Sequence, residues 1–332
     1  MKKSDITKLN KKQELIELLI SRTAEKNGLS NKKKQPIYDG IYDARKYLES
    51  EIKIMWIVKE PYDDFDKKGN PKGGDWYLPW EFFEDPSDFS KVHTFGRKMT
   101  YVNYALLNKK EWKVLNKTKD DNEMGYANQH IAYANISKMP GRTVSKDSEL
   151  YESYAIWKKV LWKQISAYEP DIIIFGNTFK FFEEDFEGQI QKFRKNVLTD
   201  SYLYDDQLLI SAYHPAATIS EEEYAKSIIS IVKKWQDYKK DNIETTEQKY
   251  ALIANIAKFL CENNLTMTGE ELAGILNRKC LTTSYGSMYS GGRGTYRMIR
   301  SCWDYFNNLN KKKEKQYIEN AFVKKDGAYA YL

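Results

Sequence analysis

The sequence predicts an α/β fold, a three-layer sandwich on a central parallel sheet, with a small helical domain behind it. Three observations carry that expectation. Short apolar runs recur, each ending in polar residues, as strands buried on both faces do. Between them lie segments whose apolar residues return at three- and four-residue intervals, an alternation of strand and helix that fits a parallel sheet covered on both faces. A polar, charged run from Lys239 to Gln248 then separates this region from a tail with helical spacing alone. The expected domains are a helical and basic segment over 1–49, an α/β domain over 50–240 and a helical domain over 247–332.

Leu9 to Arg22 has an amphipathic helical pattern through Leu15, Ile16, Leu18, Leu19 and Ile20, stopped by Asn27-Gly28. A basic connector and a short helix over Tyr38 to Leu48 lead to the first strand, Ile52 to Val58, which runs into Lys59-Glu60-Pro61-Tyr62. The Gly-, Pro- and Trp-rich stretch from Gly69 to Trp80 reads as a long structured loop, and such loops often carry function. Helix resumes over Lys98 to Leu107, and a polar turn follows over Asn116 to Asn122. The second strand, Ile131 to Ala134, ends in Asn135, with a turn at Met139-Pro140-Gly141-Arg142 on the same edge.

The clearest helix is Glu149 to Tyr168, through Leu150, Tyr154, Trp157, Val160, Leu161 and Ile165. Pro170 closes it. The third strand, Asp171 to Phe175, ends at Gly176-Asn177, and a helix is expected over Phe179 to Phe186. The fourth, Leu208 to Tyr213, runs into His214-Pro215, after which Ser220 and Glu223 have capping-box spacing at the head of another helix. In the tail, helices are expected over Tyr250 to Leu260, over Gly269 to Asn277 after a threonine cap, and over Tyr296 to Phe306, the outline of a helix-turn-helix module. Gly291-Gly292-Arg293-Gly294 lacks the Gly-Lys-Ser/Thr ending of a phosphate loop. Arg293, Arg297 and Arg300 share one face if that helix begins by Arg293, and such a face suits phosphates as well as a solvated surface.

At 332 residues, with 41% hydrophobic and 14% aromatic content, the chain can bury a substantial core. Its net charge of +6 is uneven: residues 1–35 carry ten Lys/Arg against four Asp/Glu, and 241–332 carry thirteen against ten. Both ends therefore suit an anionic polymer. No run reaches the roughly 18 apolar residues of a membrane span, and the amino terminus lacks a signal peptide's apolar block, so a cytosolic protein without membrane contact is expected. Cys261, Cys280 and Cys302 lack metal spacing and read as buried thiols.

The chemistry gathers at the strand ends. Glu60, held between an apolar strand and Pro61, is a positioned carboxylate able to orient water or stabilise positive charge. His214 offers an imidazole that can donate to an oxygen gaining charge, while His93 and His130 have no comparable setting and read as structural. Asn135 presents a donor and an acceptor in one plane, which suits a base edge as well as a turn cap.

With these residues in this order, the sequence resembles the uracil-DNA glycosylase superfamily over roughly residues 50–238. The motifs are Val58-Lys59-Glu60-Pro61-Tyr62, then Ala132 to Gly141 around Asn135, then Pro170 to Asn177, and finally Ser211-Ala212-Tyr213-His214-Pro215-Ala216. The resemblance implies that fold, and hydrolysis of the N-glycosidic bond of uracil or another damaged base in DNA, without metal or redox cofactor. It implies that Glu60 orients water, that Pro61-Tyr62 matches the family's Pro-Tyr, whose tyrosine screens the pocket, that Asn135 reads the base and that His214, ahead of Pro215, supports the departing oxygen. Phe95 is the first choice for the stacking aromatic, ahead of Trp76 and Trp80. Lys138, Arg142, Arg293, Arg297 and Arg300 are the expected nucleic-acid contacts. The chain departs from the pattern at Val58, where the family has Gly, and at Ala216, where it has Ser. Members with iron–sulfur clusters need four cysteines in the catalytic body, and this chain has none before Cys261. These departures keep two alternatives open: a protein that binds nucleic acid or a base without cleaving it, and an enzyme acting on a nucleotide or other modified base.

Overall fold

The computed structural model describes residues 3–62, 65–70, 72–85, 94–141, 146–204, 207–241, 243–279, 281, 283 and 288–323. The fold is mixed α/β. Among the described residues a seven-stranded, mostly parallel sheet runs in the order β1-β3-β2-β4-β7-β6-β5. Its strands are β1 (Gly40–Ile41), β2 (Ile54–Val58), β3 (Ala132–Asn135), β4 (Ile172–Gly176), β5 (Gln191–Lys195), β6 (Thr199–Tyr204) and β7 (Gln207–Ala212). The four strands expected from their apolar runs, β3, β2, β4 and β7, are neighbours and run parallel. All residues of β2, β3 and β4 are buried, which is why these segments read as unbroken apolar text rather than as alternation.

The helices are α1 (Lys3–Lys26), α2 (Ala44–Glu49), α3 (Leu78–Phe83), α4 (Thr94–Leu107), α5 (Asp147–Tyr168), α6 (Glu183–Phe186), α7 (Glu221–Asp241), α8 (Ile243–Glu262), α9 (Gly269–Arg278), α10 (Arg293–Asn308) and α11 (Lys312–Ala321). Several differ from expectation. The helix expected from Tyr38 begins only at Ala44, because Asp43 caps it by accepting from the amides of Arg45 and Lys46, and the residues before it form β1. The loop from Gly69 contains α3, whose Pro79 sits in the first turn, where its missing N–H costs nothing. The Phe179–Phe186 helix breaks into a 3-10 turn, Phe179–Phe181, and the short α6. Strands β5 and β6 carried no apolar run to announce them; β5 is largely exposed and bears Lys192, Arg194 and Lys195, as edge strands do.

The chain forms two compact units, one of 1–186, 194–201 and 208–232, the other of 187–193, 202–207 and 233–332. The first 49 residues thus fall in the same unit as β2, and Gln13 of α1 accepts a hydrogen bond from Tyr168 of α5. In the second unit, Ile253 and Leu260 of α8, Leu272 and Leu276 of α9, Ile299 and Cys302 of α10 and Ile318 of α11 share one core. Thr268 and Glu271 cap α9 reciprocally, and the backbone of α10 begins at Arg293. Helix α11, which packs against α8, and the parallel pair β8 (Met267–Thr268) with β9 (Phe322–Val323) add to the three helices expected there. Cys302 is buried and Cys261 half-buried; Cys280 lies outside the described residues. No helix among the described residues is long and apolar enough to cross a membrane.

Candidate functional site

The chain leaves β2 for β3 on one side, then crosses to β4 and β7 on the other, so the sheet order reverses about β2. In open α/β sheets the crevice at such a reversal, beyond the carboxyl ends of the strands, is where ligands sit. Glu60, Asn135 and His214 are delivered to that edge: Val58 is in register with Asn135, and Gly176 with Ala212, two residues before His214. Gly176 lets the last strands close up, since a Cβ there would lie 3.0 Å from Val58 Cγ1 and 3.1 Å from Pro215 Cδ. Val58 therefore fills space that Gly176 vacates.

Pairing between β2 and β3 continues past the strands. The amides of Ile136, Ser137 and Gly141 donate to the carbonyls of Val58 (2.8 Å), Lys59 (3.1 Å) and Pro61 (2.8 Å). Glu60 is half-buried in this corner and Pro61 buried. Gly141 is required there, because a Cβ at that position would lie 1.9 Å from Glu60 Cγ. Tyr62 follows at the surface, 64% exposed, its ring 5.9 Å from that of Phe65.

Asn135 is 1% exposed, and neither Oδ1 nor Nδ2 meets a partner among the described residues. Leaving both ends of a buried amide unanswered costs about 1–3 kcal/mol per group. Its backbone is held firmly: the Asn135 amide donates to Asp39 Oδ2 at 2.7 Å, and the same carboxylate receives Lys138 Nζ (2.7 and 2.8 Å) and Gln164 Nε2 (2.7 Å). Lys138 is thus fully buried in an ion pair behind the site, which corrects its assignment as a nucleic-acid contact: no phosphate can reach it. Burial pushes its ammonium below the ordinary lysine range, and Asp39 opposes that shift.

His214 is half-buried, with its ring stacked on Phe95 (centroids 5.7 Å apart, 16° between planes), and Phe95 in turn meets the edge of Tyr133 on β3. Tyr133 and Asn135 lie two residues apart on one strand and so face the same side of the sheet. The Ala216 amide donates to His214 Nδ1 at 3.2 Å, so a neutral ring carries its proton on Nε2. Desolvation, then the charges of Lys59 and Lys98, lower the imidazole to about 4. An unfolded histidine titrates near 6.5, so the unfolded chain holds the extra proton between the two values. The stability that depends on neutral His214 is complete above pH 6.5 and is lost as pH falls through about 4. Thermal melts of the parent should therefore decline over that interval, and His214→Gln should flatten the decline; an unchanged slope would contradict the assignment.

Searches of protein-family models and of curated proteins return no match to this chain.

Of the other expected contacts, Arg297 is half-buried and Arg300 exposed on α10, while Arg142 lies outside the described residues. Trp80 packs on Tyr42 and Trp76 on Phe82, so Phe95 is the candidate aromatic stacked on His214. His130 bonds Ser50 and the Lys46 carbonyl, a structural setting; His93 lies outside the described residues. Asp39, Gln164, Tyr133 and Lys98 escaped the sequence reading, since each acts through partners remote in the chain.

Proposed function

We propose that this protein is a glycosylase-like hydrolase that removes uracil or another altered base from DNA, as its resemblance to the uracil-DNA glycosylases suggests. The observation that carries the reading is the Asn135 amide, buried with both hydrogen-bonding ends open at the strand-end edge that also bears Glu60 and His214. An enzyme that turns a nucleotide out of the stack must replace the base pairing it breaks, and a planar amide offers a donor and an acceptor to the base edge. The C1′–N bond then breaks with its electron pair leaving on the base. Neutral His214 hydrogen-bonds from Nε2 to the base oxygen gaining that charge, Glu60 stabilises the cationic sugar and orients water, and the water oxygen adds to C1′ as one of its O–H bonds breaks, its proton passing to Glu60 and then to the departed base anion. Arg297 and Arg300 give a phosphate-gripping role to α10.

The test is release of free base from an oligonucleotide carrying one uracil, single-stranded or opposite guanine. The parent should release it, and Glu60→Gln and His214→Ala should each lower the rate about a hundredfold. Gly141→Ala, which forces Glu60 aside, should also lose about a hundredfold, the scale of a 1 Å misplacement. Binding without release would favour base recognition alone, the reading that Val58 and Ala216 suit. Neither binding nor release, at high protein concentration, would overturn the proposal.

A further inference from the structure

The first turn of α4 closes on the His214 turn through three side chains. Phe95 stacks on the imidazole. Arg97 Nε donates to Glu221 at 2.5 Å, tying α4 to the head of α7. Lys98, a fully buried residue, donates from Nζ to the Ala217 carbonyl at 2.6 Å and lies 5.4 Å from the centre of the Tyr224 ring. Tyr224 itself donates from its hydroxyl to the Tyr213 carbonyl at 2.9 Å. The turn is also braced from within, since the Ala217 amide donates to the His214 carbonyl at 2.8 Å. Burial pushes this ammonium below the ordinary lysine range, and the Ala217 carbonyl, the Tyr224 ring and the charge of Glu221 offset only part of that cost, so an apolar residue at 98 would be the choice of stability alone.

We propose that Lys98 is a positioning residue for His214: its ammonium fixes the 214–217 turn from below and keeps a positive charge beside the imidazole. The inference rests on the reading of His214 as the donor to the departing base. Two consequences follow from one cation. The tether holds the ring against Phe95 with its proton on Nε2, and the charge disfavours the imidazolium, which has no acceptor lone pair to receive the Ala216 amide. The elements packed round the ring carry Lys59 and Glu60 after β2, Arg97 and Lys98 on α4, and Glu221 on α7. Arg97 and Glu221 neutralise each other, and Lys59 and Lys98 are the cations whose fields reach His214.

The experiment follows the imidazole directly. The 332-residue chain holds three histidines, so each ring is assignable by nuclear magnetic resonance through His→Gln variants. The parent's His214 should titrate at about pH 4. In Lys98→Met the midpoint should rise by about half a pH unit, and base release should fall about tenfold in kcat with KM little changed. Lys98→Gln keeps a donor for the Ala217 carbonyl without the charge, so it guards against a methionine variant that does not fold. It should raise the midpoint equally, whereas Lys98→Arg should leave it near the parent's. A midpoint unmoved in either folded uncharged variant overturns the proposal. The titration needs no turnover, so a shifted midpoint without base release would reject the glycosylase reading and leave the role of Lys98 standing.

Discussion

Replacing Lys138 by methionine should destabilise the α/β unit by about 3–5 kcal/mol, the usual cost of removing one partner from a buried ion pair. The loss comes from Asp39, left as a fully buried carboxylate with Gln164 and the Asn135 amide as its remaining donors. Urea unfolding of the parent and of Lys138→Met reads it as a lower midpoint at unchanged slope. A loss below about 1 kcal/mol would mean that the pair does not hold the fold. The cost also has a functional side. Asp39 grips the backbone of Asn135, so the variant loosens the amide proposed to read the base, and weaker base binding should accompany the lower stability.

The second large effect runs the other way. Asn135→Leu swaps a buried amide for an apolar side chain of similar length, so it should stabilise the unliganded protein by about 1–3 kcal/mol while lowering base release about a thousandfold. Few substitutions improve the fold and abolish the activity together, and those that do mark a group retained for its ligand. Melting temperature and single-turnover base release on the same preparation decide the matter. A destabilised Asn135→Leu would show that the amide has a structural duty and would remove the main support for base reading.

Much of this site was legible because parallel strands buried on both faces must be apolar throughout and must end where polar text begins. Glu60, Asn135 and His214 could be read that way, and the register of β3, β2 and β4 with β7 places their strand ends side by side. What supports them was not legible. Asp39 pairs with Lys138 across ninety-nine positions and with Gln164 across one hundred and twenty-five, and a lysine beside Met139-Pro140-Gly141 has the local look of a surface turn. Only the fold reveals that it is buried. The same holds for Lys98, whose partner carbonyl at Ala217 lies one hundred and nineteen residues away. Edge elements failed for a different reason: β1 is two residues long, and β5 is charged on exposed positions, so neither leaves a hydrophobic trace.

The backbone bonds that join Lys59 and Pro61 to Ser137 and Gly141 make the corner beyond β2 and β3 stiff. A carboxylate and an amide mounted on one such corner start from backbone already fixed by these bonds. Their ordering entropy is lost once, when the chain folds, and need not be lost again at each encounter. Adjustment to ligands of different size must then come from the opposite wall, where Phe95, Lys98 and the His214 turn meet through side chains rather than a shared ladder. On the proposed reading, Phe95 variants along that wall should change which bases are accepted, whereas Glu60 variants in the stiff corner should slow the handling of every base.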